Sequence, residues 1–502
     1  MILRRPAALL AVLLAAPAAA ETLQDALART YATNPDLTAE RADLRAIDEG
    51  AAIARADNRL QVTGVAGVTQ GFNGIGTLNQ NGRSLTGGLE LAYPLFNAGR
   101  VRNAVRAADA RVAVGRADLR TTEGNVFTTA VGAYMDVIRD VSIASLNAGQ
   151  VRVLETNLEA TRDRFQVGDL TVTDVAQSEA RLANARSQLA IAQGRLTASR
   201  EAYRRIIGQW PGDLAPPPPL PRLPATPDEA VAIAEGNTPS LAAIGAGVQA
   251  AQYDVRVARA ARLPTLSAVT GANYNNYLGT LNRAVGAPAG VQLDQVQTNS
   301  TIGLQVRMPL YQGGAAGARI RQAQAREQQA LEQGVGIERQ VIATARAAFA
   351  SFRAAGETIA ASEAAVSANR LALEGARAEQ GVGLRQILDV LNAEQELLNS
   401  QVTLVTARRD QYVAGFALLN AMGRAEMGAL DLESGALYDP VSNYRRSTGS
   451  LSDWRESRGA GPQATRTLGP TPAEPAPSPS IGGTPADAVP RAPSPPVTRP
   501  PN

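Results

Sequence analysis

The chain is written twice, and that duplication limits its possible folds more than any other feature. "VGDLTVTDV" at Val167–Val175 recurs as "VGLRQILDV" at Val382–Val390, 215 residues on. "YPLFNAGR" (Tyr93–Arg100) recurs as "MPLYQGGA" (Met308–Ala315) at the same offset. Earlier in each half the offset is 204: "TLQDALARTYATNPDL" from Thr22 answers "TPDEAVAIAEGNTPSL" from Thr226, and "ARA" at Ala54 answers "ARA" at Ala258. About 11 residues have therefore been gained in the second half between "ARA" and the Pro-Leu motif.

The gain falls in a hairpin loop. Leu85, Leu89, Leu91 and Tyr93 alternate with Ser84, Thr86 and Glu90, and Ile302, Leu304, Val306 and Met308 alternate with Thr301, Gln305 and Arg307. Period two with one apolar face predicts a strand in each half. A weaker strand candidate precedes each, near Gln61–Phe72 and Pro264–Tyr274. The connections between them, "NGIGTLNQNGR" and the stretch from about Asn276 to Asn299, are rich in Gly and Asn. Each half thus carries one β-hairpin, about 61–94 and about 264–309, with strands of roughly 9 to 11 residues, long enough to cross a bilayer when tilted.

The remainder reads as helix. From Ala98 to about Phe165 there is no Pro, and Val105, Val112, Leu119 and Val126 recur every seventh residue. Val175, Leu182, Leu189, Leu196 and Tyr203 continue the pattern, as do Val390, Leu397, Leu404 and Leu418, with Gln411 breaking the last series. Sustained heptads predict helices in coiled-coil contact, here rods of roughly 100 Å too rich in Arg, Asp, Glu and Gln to lie in lipid. Each Val-Gly motif is then the tip of a helical hairpin, at 167–175 and at 382–390, with Gly168 and Gly383 capping the arriving helix. Thr171 and Asp174 fit a capping box for the first returning helix, whereas Gln386 replaces the Thr in the second copy.

Composition narrows the function. The chain holds no His, Cys or Lys, which excludes the usual zinc, copper and haem sites and any His- or Cys-based catalytic dyad. No paired carboxylates converge on a pocket, so no enzyme is expected, and a net charge of +3 without a basic cluster gives no case for nucleic acid. Residues 1–20 read as a cleaved secretory signal: Arg4 and Arg5, an apolar stretch Ala7–Leu14, then Ala18-Ala19-Ala20. No Cys follows that site, so no lipid anchor is expected, and no later run is long and apolar enough for a transmembrane helix.

Four strands cannot close a barrel, and an open sheet edge in lipid leaves backbone groups unsatisfied at several kcal/mol each. About eight strands is the practical minimum. Several identical chains must therefore share one barrel.

These motifs and their spacings resemble those of the TolC-like outer-membrane efflux protein family over roughly Glu21 to Gly428, carried by "YPLFNAGR", "MPLYQGGA", "VGDLTVTDV" and "VGLRQILDVLNAEQELLNSQ". The resemblance implies a mainly α fold with a membrane β-barrel: an internally duplicated chain, coiled-coil hairpins forming an α-barrel, and two β-hairpins per protomer contributing to a twelve-stranded trimeric barrel. It implies a homotrimer in the outer membrane with its helices in the periplasm, joined through a periplasmic adaptor to an inner-membrane ABC or proton-driven pump, as in type I secretion and multidrug efflux. No cofactor is implied. A trimeric coiled-coil stalk on a shared barrel is the alternative; it explains the heptads but not the twofold repeat.

The resemblance also assigns residues. The periplasmic gate falls on Thr173, Asp174, Arg385, Asp389, Asn392 and Gln380, with Arg385 tying its tip to Thr173 and Asp174 of a neighbouring tip. Asp389 forms an acidic ring, Asn392 stands where the family has a second acid, and Gln380 where it has a Tyr. Adaptor contacts fall on Gly168, Leu170, Gly383 and Leu384. From the local sequence, Pro94 and Pro309 are expected to end the strand ladders, with Gly99, Gly313 and Gly314 giving room at the turn into helix. The repeats are expected at 21–210 and 228–430, separated by a stiff Pro-rich linker at 211–227. A C-terminal edge of the α-domain at 431–443 and a disordered Pro-rich tail at 444–502 complete the chain.

Overall fold

The computed structural model describes residues 20–71, 82–280, 294–429, 437–456, 461–464 and 466. The signal segment and most of the Pro-rich tail lie outside these residues. The first half gives α1 (Leu23–Thr33), α2 (Pro35–Ala56), β1 (Gln61–Gln70), β2 (Arg83–Phe96), α3 (Arg100–Gln166) and α4 (Val172–Ile207). The second gives α5 (Pro227–Asn237), α6 (Pro239–Ala260), β3 (Thr265–Asn276), β4 (Val296–Arg307), α7 (Ala315–Gly381) and α8 (Ile387–Ala421), then a 3-10 turn at Met427–Ala429 and α9 (Ser442–Gly449). Helices α3 and α7 each run 67 residues, about 100 Å. Among the described residues no helix is long and apolar enough to cross a membrane.

The four strands form one antiparallel sheet in the order β1-β2-β3-β4. The register carries the alternation across the sheet: Val62 lies opposite Leu91, Leu91 opposite Thr270, and Thr270 opposite Ile302. One step on, Tyr93, Ala268 and Leu304 align. The other face carries Thr63, Glu90, Gly271 and Thr301 in line. Lipid fits the first face and water the second. The outer strands β1 and β4 have no partner on their far side among the described residues, and every residue of β4 is exposed.

The main core lies where the halves meet. Leu23 and Leu27 of α1, Phe127, Val131 and Tyr134 of α3, Tyr203 and Ile207 of α4, Phe349 of α7 and Phe416 and Leu419 of α8 pack together. The Tyr134 hydroxyl lies 2.9 Å from the Glu21 carbonyl and 2.6 Å from that of Ala215. Glu21 N–H donates to Asp213 O (2.8 Å), and Ala215 N–H to Glu21 O (2.9 Å). The segment leading into α1 is thereby stitched to the segment joining the repeats.

That segment is extended, as its prolines require, but it is no free spacer. Leu220 and Leu223 pack on the core, and Pro227 already belongs to α5, where a missing N–H costs nothing. Pro94 does not end a ladder: β2 continues to Phe96, with Pro94 opposite Ser267 and a register shift before Phe96. Pairing with β1 has stopped by then, at Ala92 opposite Gln61, so the absent N–H falls where one neighbour is gone. Pro309 does follow the end of β4. The β2–α3 turn passes through left-handed Ala98 and Gly99, and the β4–α7 turn through Gly313 and Gly314. The chain also stays ordered past residue 444: α9 packs on α2, with Asn443 and Ser447 buried. Arg55, 2.6 Å from the Tyr444 hydroxyl, anchors a helix whose eight residues carry no heptad to betray it.

Gly423 ends α8 with φ +69°, and a Cβ there would meet Asn237 O at 2.6 Å. Gly168 has φ +83° but open space around it. Gly423→Ala is expected to lower stability by about 2 kcal/mol or more, and Gly168→Ala by about 1 kcal/mol, the backbone strain alone. Thermal unfolding followed by far-UV circular dichroism compares the two.

Candidate channel gate at the helical tips

The two tips are built alike where the helix arrives and differently where it returns. In the first, Gly168 N–H donates to Phe165 O (3.0 Å) and Asp169 N–H to Arg164 O (2.9 Å). In the second, Gly383 N–H donates to Gln380 O (3.0 Å) and Leu384 N–H to Glu379 O (2.9 Å). Both glycines are left-handed, at φ +83° and +80°, which a side chain would strain. The return of the first tip is a full capping box: Asp174 N–H donates to Thr171 Oγ1 (3.3 Å) and Thr171 N–H to Asp174 Oδ2 (2.9 Å). Thr171 N–H and the Thr171 hydroxyl (2.7 Å) both donate to Asp174 Oδ2, and these two bonds, backbone first, hold the Asp174 carboxyl below the usual carboxylate range. Gln386 makes no side-chain cap.

Asp389 is exposed, and no described side chain or backbone donor reaches its carboxylate. Arg385 is held within its own tip, its Nε 2.6 Å from Glu379 Oε2; within one chain it does not meet Thr173 or Asp174. Asn392 is exposed and accepts from Arg181 Nη2 of α4 (2.7 Å). Gln380 is half-buried, and its backbone carbonyl caps the turn. At the outermost surface Gly168, Gly383 and Leu384 are exposed along with Val167, Val172 and Val382. Leu170 is half-buried and presents less of itself.

Behind the tips, α8 packs on two sides. Val390, Ala393 and Leu397 meet Leu373 and Ala376 of α7. Ile387 and Leu391 meet Leu154 and Leu158 of α3 and Leu182 of α4. Glu394 continues this second seam, between Leu391 and Leu398. It is buried, bound by Arg377 Nη2 of α7 (2.9 Å) and Asn157 Nδ2 of α3 (3.2 Å). Two seams per helix is the pattern of a helix flanked on both sides, as in a wall of helices. The sequence signal for Glu394 was a charge inside the series Ile387, Leu391, Leu398, visible only when a second seam is sought. Glu379 and Arg181 carried no such signal. Among the described residues no cluster of His, Cys, Asp or Glu could hold a metal.

The sequence model described as "Outer membrane efflux protein" matches residues 23–209 and 231–424, the two repeats. The chain belongs to the outer membrane efflux protein family. It is 35% identical over 434 residues to outer membrane efflux protein BepC of Brucella suis biovar 1, spanning 86% of this chain and 92% of that protein. It is 27% identical over 438 residues to outer membrane protein TolC of Escherichia coli K12, spanning 84% and 86%. The solved structure of the Campylobacter jejuni CmeC outer membrane channel shares the fold with TM-score 0.70 at 17% identity, over 86% of this chain and 90% of that one. The protein is thus an outer-membrane efflux channel and not an enzyme.

For this channel, Thr171→Ala is expected to speed amide exchange at Val172–Val175 about fivefold, the worth of a Thr cap, while Gln386→Ala leaves Ile387–Val390 unchanged. The reciprocal bond, from the Thr171 hydroxyl to Asp174 Oδ2, favours the ionised Asp174, whose folded pKa is lowered. Its contribution is therefore complete above the unfolded carboxylate pKa and is lost as pH falls through the folded one. The Thr171→Ala difference should shrink at acid pH to what the Asp174 N–H bond to Thr171 Oγ1 supplies alone.

Proposed function

We propose that three copies of this chain form a channel-tunnel whose twelve strands close one barrel and whose helices wall a periplasmic conduit. The conduit receives substrates from an inner-membrane pump through a periplasmic adaptor and is gated at the helical tips. The observation that carries the assembly is an asymmetry between equivalent helices. Helix α3 buries 23 residues, whereas α7, its counterpart of equal length, buries seven. Helix α3 is covered by α2 on one side and by α6 of the other repeat on the other. Helix α7 has α6 beside it, but no α2 among its neighbours in the chain. The repeat offsets supply the missing partner: α2 of a neighbouring copy should lie on α7 as α6 lies on α3. A contact that continues from copy to copy gives a ring where its rotation closes, and the sheet edges at β1 and β4 require that closure.

The repeat also predicts contacts. Arg111 of α3 pairs with Asp254 of α6; the equivalents are Arg326 of α7 and Gly50 of α2. The chain has no native Cys, so Gly50→Cys with Arg326→Cys can be treated with a short bis-maleimide. The expected product is a covalent ladder ending at three chains, while Arg111→Cys with Asp254→Cys links within one chain. A ladder absent from the first pair, with the second pair linking normally, would defeat this assembly.

At the gate, Asp389 from each copy forms the acidic ring, and Asn392 leaves a second ring neutral. Arg385 engaged by Glu379, and Asp174 engaged by Thr171, must give up those partners to tie neighbouring tips through Thr173 and Asp174. With Gln380 where a Tyr would reinforce the tie, the resting gate is loose. The exposed apolar tip residues Val167, Val382 and Leu384 are the adaptor's contact, with Gly168, Gly383 and part of Leu170. Three carboxylates in a narrow aqueous pore favour cations. Asp389→Asn should lower cation preference and Asn392→Asp raise it, read as opposite shifts of reversal potential in planar bilayers under a salt gradient. Unchanged selectivity in both variants would remove Asp389 from the constriction.

A further inference from the structure

We infer that the segment after α9 is an interfacial membrane anchor, in which Leu451 and Trp454 enter the periplasmic leaflet beside the barrel. The inference rests on the sheet being the part of the protein that lies in lipid.

Contacts at four levels trace the path of the C-terminal segment along α2. The Arg41 guanidinium lies over the Tyr438 ring (5.2 Å). Asn443 Nδ2 donates to Asp48 Oδ2 (3.0 Å). Arg55 Nη2 donates to the Tyr444 hydroxyl (2.6 Å), which also meets Asp109 Oδ1 of α3 (2.7 Å). Arg59 donates through Nη2 to Thr448 O (3.1 Å) and through Nη1 to Ser450 O (2.8 Å). Positions 41, 48 and 55 are seven apart and so share one face of α2. Their partners on the C-terminal segment, Tyr438, Asn443 and Tyr444, follow in the same order. The segment therefore climbs α2 by roughly 25 Å, in the direction of the strands.

It ends at their base. Arg59 precedes the first residue of β1, Gln61, by two positions. Asn97 Nδ2 donates to Asn58 Oδ1 (3.1 Å), which sets the end of β2 at the same level. Ser450 is thus held beside the strand ends, where Leu60, Phe96, Leu310 and Tyr311 are also exposed. Leu451 is 81% and Trp454 95% exposed. No described residue covers either. A Trp with a polar edge and an apolar body favours the boundary between headgroups and acyl chains, and side chains at that boundary sit about 5–10 Å into it. A segment tied down at four levels, only to leave a Trp and a Leu in water, would forgo that burial.

The test uses the full chain in phospholipid vesicles. The only other Trp is Trp210, so Trp210→Phe leaves Trp454 as the sole reporter. Its emission should shift to shorter wavelength on insertion. It should be quenched more by lipids brominated near the headgroup than by lipids brominated near the chain end, and little by aqueous iodide. If Trp210→Phe does not fold, the difference between the parent protein and Trp454→Phe gives the same reading. Strong iodide quenching with no bromine effect overturns the inference, as does loss of oligomer in Trp454→Ala, which would place the ring between protomers. A channel that still conducts while Trp454 stays in water sinks the anchor alone and leaves the proposed function intact.

Discussion

Unpaired peptide groups along a strand edge are the constraint from which the rest follows. Water satisfies them on a soluble sheet, but hydrocarbon does not, and each one left bare costs several kcal/mol. This chain supplies strands long enough to cross a bilayer and leaves two such edges, β1 and β4, one at each end of its sheet. In the proposed assembly the duplication makes the remedy geometric: the second repeat presents to the next copy what the first presents to the second. The sparse burial of α7 beside the dense burial of α3 supports the same reading in the helices.

The division of labour between strands and helices is a division between solvents. The sheet keeps Leu91, Ile302 and Leu304 on one face and Thr63, Glu90 and Thr301 on the other. The helices invert this economy: they bury Leu and Ala in narrow seams and expose Arg, Glu and Gln elsewhere. Between the tips and the waist, charged side chains bind helices to one another. Arg409 Nε meets Asp136 Oδ1 across α8 and α3 (2.8 Å), and Glu394 is buried between Arg377 and Asn157. Removing one partner of a buried charge costs more than the pair itself contributes, so such contacts fix which helices lie side by side. The tips lack comparable burial, and only one has a side-chain cap; the proposed gate sits there.

Much of this was legible in the residues. Period two and period seven located the strands and rods, and the matched offsets paired the halves to the residue: α3 and α7, like α2 and α6, begin and end at equivalent positions. Thr171 and Asp174 announced their capping box. What escaped notice depends on contacts distant in sequence. The single-seam heptad reading missed Glu394 because a helix with two neighbours has two apolar series. Helix α9 is held by Arg55, Arg59 and Asp48 from 389 to 395 residues away, and nothing local marks it. Pro94 was misjudged because its tolerance depends on where β1 stops. Arg385 finds Glu379 across the turn at a spacing that no helix face predicts.

Mass decides the matter most directly. In a mild detergent that preserves the membrane-inserted form, native mass spectrometry should find three chains per particle, with no stable species holding one or two. A single chain persisting as the inserted, folded species would mean that the edges of β1 and β4 are satisfied in some other way, and the shared barrel would be contradicted.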